Sequence, residues 1–304
     1  MALDSHTHVE PETADHLLTT TAEIQLPFRP AAPRARHVRG FLRGAIVPAI
    51  RGAMVPALLP ALLAGAWWLS TDVRHAFSDN QLPPPRQVWS AALDLVRTGD
   101  YARHLLASFR RVAIGFSLGA GAALAIGVAV GLSRAVERVL DPTLQGLRNV
   151  PSLAWVPFLL LWLGIDEGPK LTLIAIGAFF PIYVNLVTGI RQVDRKLLEV
   201  GSLFGLSRLM LVPRIFLPAA LPYALAGLRI GLGQAWLFLV AAELIASTRG
   251  LGFMLLDGQN NLRPDIMLVG ILSLALLGKL SDSLLRLCER RWLRWADTYG
   301  GTHT

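Results

Sequence analysis

Two ionisable residues, Arg229 and Glu243, stand inside one apolar run spanning about residues 222–246, where a charge costs roughly 2.5–3.5 kcal/mol at a helix centre. A guanidinium there can hold an oxyanion through its planar fork of N–H donors. A carboxylate near the end of the run can anchor a neighbouring helix or serve at a gate. Neutral polar and aromatic side chains, Tyr183, Asn185, Gln234 and Trp236, lie in the same run and in the one before it. They can line a passage or bond helix to helix. Covalent chemistry has no comparable set of residues. His75 and His104 fall in a polar segment without a nucleophile motif, and Cys288 is the only cysteine. Gly278-Lys279 is followed by Leu280 where a phosphate-binding loop requires a hydroxyl, and Ser273 occupies the place of its first glycine. No catalytic residue and no metal site is expected; His6 and His8 read as part of a solvated tail.

The elements that must position these groups follow from composition. Of 304 residues 53% are hydrophobic and 16% charged, against about 25% charged in soluble proteins. The apolar residues gather in runs of roughly 17–25, the length of a helix that crosses about 30 Å of hydrocarbon. The fold class is an all-α polytopic membrane protein with about six transmembrane helices. The spans fall near 52–70, 112–132, 150–165, 171–189, 222–246 and 266–286, the third short and interrupted by Pro157. An amphipathic stretch, Val88 to Arg97, lies between the first two. Gly115, Gly119, Gly127 and Gly131 form two Gly-x-x-x-Gly pairs, which admit close approach of another helix. Asp166-Glu-Gly-Pro169 reads as a tight turn, and Lys279 with Asp282 as a pair within one helix.

Residues 1–40 read as a disordered cytoplasmic tail, 41–296 as the membrane domain and 297–304 as a second tail. The net charge of +8 is flanking charge rather than a nucleic-acid footprint. Arg134, Arg138, Arg148, Arg191, Arg195, Lys196, Arg208 and Arg214 fall in short loops on one side, whereas the short opposite turns hold Lys170, Arg249 and Arg263. The rule that basic loops stay inside places both termini in the cytoplasm, together with the segment 190–220.

That segment, with Glu199-Val-Gly-Ser-Leu-Phe-Gly205 and then Ile215-Phe-Leu217-Pro218, has the parts of a force-transmitting loop. Val193 to Phe204 carries apolar residues at helical spacing. Gly205 can end that helix in a left-handed conformation, and Ser207 can cap a second one through about Arg214. Leu217-Pro218 should close the loop, because proline interrupts the helical ladder. Val200 and Gly201 are small enough to let a partner approach.

The joint spacing of Glu199, Gly205, Leu206, Ile215, Leu217 and Pro218 resembles the ATPase-docking signature of ABC importer permeases. Leu147-Arg-Asn-Val-Pro151, Phe179-Phe-Pro-Ile-Tyr183-Val-Asn185, Ala241-Ala-Glu243 and Gly250-Leu-Gly252 resemble the nitrate/sulfonate/taurine branch. Ala275-Leu-Leu-Gly-Lys279-Leu-Ser-Asp282 and Glu289-Arg-Arg-Trp-Leu-Arg-Trp295 look most like aliphatic sulfonate permeases. The resemblance implies a type I ABC importer transmembrane domain, akin to methionine and molybdate permeases. It also implies a homodimer in lipid, two ATPase subunits that bind ATP and magnesium, and a periplasmic or extracellular binding protein. This chain itself would bind no cofactor. The implied location is the bacterial inner membrane and the implied cargo an aliphatic sulfonate, with nitrate, taurine or another small nutrient as the alternative and a secondary transporter outside the class.

Overall fold

The computed structural model describes residues 58–295, without the side chains of residues 208 and 209. The expected tails at 1–40 and 297–304, and residues 52–57 of the first expected span, lie outside the described residues. The chain divides into two compact units between Pro60 and Ala61; the architecture is that of the second. Every element among the described residues is helical. An apolar helix α1 (Leu58–Val73) ends in a wide π turn at Leu69–Val73. The Pro83-Pro84-Pro85 run that follows cannot continue a helix, but Pro85 suits the first helical position and opens α2 (Pro85–Thr98). Gly99, at φ 78°, turns the chain into α3 (Asp100–Leu132).

The long helix α3 starts a dozen residues earlier than the apolar run that announced it. After Ser133 comes α4 (Arg134–Asn149), an amphipathic helix, then a tight turn at Ser152–Trp155 and the eight-residue α5 (Val156–Leu163). The bend between α4 and the segment Ser152–Leu163 is 92°, so the third expected span is the second arm of a bent pair, the geometry of a broken span or of a re-entrant loop. Pro151 explains the break, since it cannot donate to the helical ladder, whereas Pro157, expected to interrupt the span, falls in the first turn of α5, where its missing N–H is dispensable. Reversal occurs at Gly164, φ 75°, and Glu167-Gly-Pro169 is the first turn of α6 (Glu167–Arg191) rather than a separate tight turn.

Beyond α6 lie α7 (Arg195–Leu203), the four-residue α8 (Arg208–Leu211) and α9 (Leu217–Ala246). A short helix that hydropathy did not announce, α10 (Leu251–Asn260), precedes α11 (Pro264–Trp292). Among the described residues four helices are long and apolar enough to cross a membrane, and five if the bent pair counts as one span; with α1 this is consistent with about six.

Helix α6 is the centre of the bundle, with α3 on one face and α9 on the other. A Cβ on Gly119 would sit 2.4 Å from the Ala175 carbonyl oxygen, and one on Gly115 2.7 Å from Ile174. On the opposite face a Cβ on Gly231 would come within 2.9 Å of the Ala178 carbonyl. The Gly-x-x-x-Gly pairs of α3 are therefore the surface on which α6 lies. Ile174, Ala178 and Ile182 of α6 are fully buried between Val112, Ala123 and Leu239. A second apolar cluster joins α2 to α10 and α11 through Val88, Ala91, Leu251, Met254 and Val269.

Candidate functional site

The loop after α6 is built by local hydrogen bonds. Asp194 caps α7, its carboxylate accepting from the Lys196 N–H at 2.9 Å. At the other end Gly205 has φ 74°; its N–H donates to the Ser202 carbonyl at 3.0 Å and the Leu206 N–H to the Gly201 carbonyl at 3.1 Å. That pair of bonds is the Schellman arrangement, which requires a residue without a Cβ penalty at the left-handed position. Ser207 caps α8, its hydroxyl accepting from the Met210 N–H at 3.4 Å. Helix α8 then does not stop. It passes through a π turn, Val212–Phe216, directly into α9, with Pro213 and Pro218 each in the first turn of its element. Leu217-Pro218 thus opens the membrane helix rather than closing the loop: a proline N–H is dispensable in a first turn, and the wide turn absorbs the two missing donors.

The faces of the loop divide sharply. Gly201 is buried inward, where a Cβ would meet Ile215 Cδ1 and Leu211 Cδ2, both at 2.7 Å. Its small size lets α7 lie on the segment entering α9, rather than on a partner. Glu199 is exposed, with no ion pair among the described residues. Beside it Leu203 and Phe204 are 86% and 82% exposed, and Leu197 and Val200 about half exposed. A contiguous apolar face flanking a free carboxylate is the character of a contact surface.

Inside the bundle, Glu243 has no solvent exposure. Ser108 Oγ donates to it at 2.8 Å, Arg111 Nη1 at 2.7 Å and the Gly252 N–H at 2.8 Å. Arg111 is held on its other side by Glu167, at 2.7 and 2.8 Å, and Lys170 also reaches Glu167, at 3.2 Å. Gly250 closes over the carboxylate: its φ is 136°, and a Cβ there would lie 2.3 Å from Glu243. His104 Nδ1 lies 3.0 Å from the Gly250 N–H. The network ties α3, α6, α9 and the start of α10 together. Hydropathy concealed its partners, but His104, Ser108 and Arg111 fall at i, i+4 and i+7, a polar stripe along one helix face.

The remaining pathway candidates separate. Arg229 Nε donates to Asp282 at 2.7 Å, and Nη1 lies 3.7 Å from Glu289. Asp282 also binds Arg286, so it pairs across to α9 and along α11 to Arg286 rather than with Lys279. Trp236 donates to Ser281 Oγ at 2.9 Å. Asn185 donates to the Pro181 carbonyl of its own helix at 2.8 Å, and Gln234 is half-buried on α9. Of the six, Tyr183 borders a polar cavity. That cavity, about 210 Å³, lies between α4 and the last turns of α6 and is bordered by Arg148, Phe180 and Thr188 as well. Tyr183 donates to Asp141 at 2.7 Å, and Arg191 pairs with Glu137 at 2.8 Å. A second polar pocket, about 340 Å³, opens near the Glu243 network between Arg110, Glu167 and Arg249.

Comparison with known proteins adds four findings. Residues 118–294 match the family described as binding-protein-dependent transport system inner membrane component. A Bacillus subtilis protein named for aliphatic sulfonates transport, a permease, is 43% identical over 95% of this chain and 99% of its own length. Its Escherichia coli namesake is 42% identical over 79% of this chain and 91% of its own. Among solved structures, an inward-facing methionine ABC transporter aligns with TM-score 0.52 at 19% identity, covering 62% of this chain and 91% of that one; this likeness concerns the fold.

Proposed function

Because the chain belongs to the family of binding-protein-dependent transport system inner membrane components, as an ABC importer permease of the sulfonate, taurine and nitrate branch, we propose that it carries aliphatic sulfonates into the cell. It is a transport component, and permeases of this family work with ATPase subunits and a substrate-binding protein. In this reading two copies of the chain form the pathway, two ATPases bind ATP and magnesium, and both termini face the cytoplasm. The observation that carries the substrate assignment is the 43% identity to the Bacillus subtilis sulfonate permease across nearly the full length of both chains.

The mechanism is alternating access. Each ATPase receives the face made by Glu199, Leu203 and Phe204, with Gly205 and Leu206 fixing the angle of α7. Movement of the loop reaches the bundle along one continuous helical path, because α8 runs through Ile215, Leu217 and Pro218 into α9 and α9 packs on α6. The π turn is the compliant point in an otherwise continuous rod.

The test is growth of a strain lacking the chain, with an alkanesulfonate as its sulfur source. The wild-type chain restores growth; Glu199→Arg and Gly205→Pro reduce sulfonate uptake at least tenfold while membrane blots show undiminished protein. Wild-type uptake by both variants would remove the coupling role. Restoration on nitrate but not on sulfonate would reassign the cargo, and uptake that follows an ion gradient without ATP would remove the class.

A further inference from the structure

The cavity between α4 and α6 is formed by two helix faces that the sequence spells out. On α4, Asp141, Gln145 and Arg148 recur at i, i+4 and i+7; on α6, Phe180, Val184 and Val187 do the same. The charges around it are nearly all spoken for. Asp141 accepts from the Tyr183 hydroxyl at 2.7 Å through one oxygen and from Gln145 Nε2 at 2.6 Å through the other. Arg191 is paired with Glu137. Arg148 borders the cavity and, among the described residues, has no ion-pair partner. Thr188 borders the same cavity. Facing these polar groups is an apolar wall of Leu144, Phe180 and Val184.

We propose that this cavity is a subsite for a small amphipathic anion, with a sulfonate head on Arg148 and an alkyl tail against Phe180. The proposal rests on the reading of the chain as a sulfonate importer and adds to it the place where the anion is held. Charge sets the sign of the ligand: both oxygens of the lining carboxylate, Asp141, already accept from Tyr183 and Gln145, and the lining cation without an ion pair among the described residues is Arg148, whose planar donors match a tetrahedral oxyanion. Volume fixes the size: 210 Å³ is below the roughly 300–1,000 Å³ of sites for drug-sized ligands. Shape fixes the amphipathic character, because nitrate has no group to place on the apolar wall. The cavity lies near the α6 end that leads into the loop of residues 190–220, so an anion held here is on the cytoplasmic side, close to release.

Equilibrium binding to the full-length chain in lipid nanodiscs tests this, read by ligand-observed NMR with propane-1-sulfonate, methanesulfonate and propylammonium. Propane-1-sulfonate binds, methanesulfonate binds more weakly, and propylammonium does not. Arg148→Gln raises the dissociation constant for propane-1-sulfonate by about tenfold or more, the loss expected for a charge-assisted contact. Arg148→Lys recovers part of it, which separates loss of charge from loss of fold. Phe180→Ala narrows the preference for the longer tail. Arg110→Gln, at the outer pocket, leaves the constant unchanged. Equal binding by wild type and Arg148→Gln, a tail preference untouched by Phe180→Ala, or loss of binding on Arg110→Gln alone would each overturn the subsite. The importer reading is judged separately by growth: sulfonate growth with no binding here removes only the subsite, whereas absence of sulfonate growth with the wild-type chain removes the cargo on which it rests.

Discussion

Glu243 and Glu199 are both single carboxylates, and their surroundings give them opposite work. Glu243 is sealed from solvent and meets Ser108, Arg111 and the Gly252 N–H, so its charge is compensated by three donors on two other helices, α3 and α10. Breaking such a set leaves Arg111 half-paired and two further donors unsatisfied, a loss of roughly 3 kcal/mol. Glu243→Ala is therefore expected to lower the thermal unfolding temperature of the solubilised chain by several degrees and reduce its level in membranes. Glu243→Gln, which keeps an acceptor oxygen for Ser108 or Arg111, should lose less. A variant that folds as well as wild type but transports nothing would mark Glu243 as a gate instead. Glu199 has no such commitments. Its exposure means that substitution should leave unfolding unchanged, so the same calorimetric or fluorescence melt separates the two residues before any transport is measured.

At the scale of elements, the contact between α3 and α6 depends on backbone proximity rather than side-chain bulk. A Cβ on Gly119 would stand 2.4 Å from a carbonyl oxygen, which cannot rotate aside, whereas one on Gly121, half a turn away, would meet nothing within 4 Å. Gly119→Ala should destabilise by about 1–3 kcal/mol through overpacking, and Gly121→Ala should be neutral or slightly favourable through helix propensity; thermal melts of the two variants in the same detergent provide the comparison. The glycine spacing made this packing legible in the sequence, because small residues at i and i+4 can have only one use in lipid. The left-handed turn at Gly205 and the Ser207 cap were equally legible, being set by local stereochemistry. The 92° break before α5 was visible only as shortness, since Pro151 signals a break but not its angle. Helix α10 escaped hydropathy because ten residues between two turns give too little periodicity. The partners of Glu243 and the cavity at Arg148 were beyond reach for a different reason. Apart from the Gly252 N–H, nine positions from Glu243, they join residues more than thirty positions apart, and their distances depend on packing that no local pattern encodes.

Across the whole molecule, α6 connects every feature assigned a role. Its first turn carries Glu167, bound to the Arg111–Glu243 network; its last turns border the Arg148 cavity; and its end, Arg191, pairs with α4 before the chain enters α7. These contacts lie along one helix, with Pro181 inside it, so which end faces inward decides which feature meets which side of the membrane. In the proposed orientation the α7 end, with Arg191, Arg195, Lys196 and Arg214, faces inward by the basic-loop rule, against Lys170, Arg249 and Arg263 at the other. The assignment is open to direct chemical test, because Cys288 is the only native thiol. In a Cys288→Ser background, Thr248→Cys and Ser202→Cys place thiols at exposed positions on the two sides. A membrane-impermeant maleimide should label the first in intact cells and the second only after permeabilisation. The reverse pattern would turn the bundle over. The Glu199 face would then meet no cytoplasmic ATPase, and the Arg148 cavity would become the side of entry instead of release.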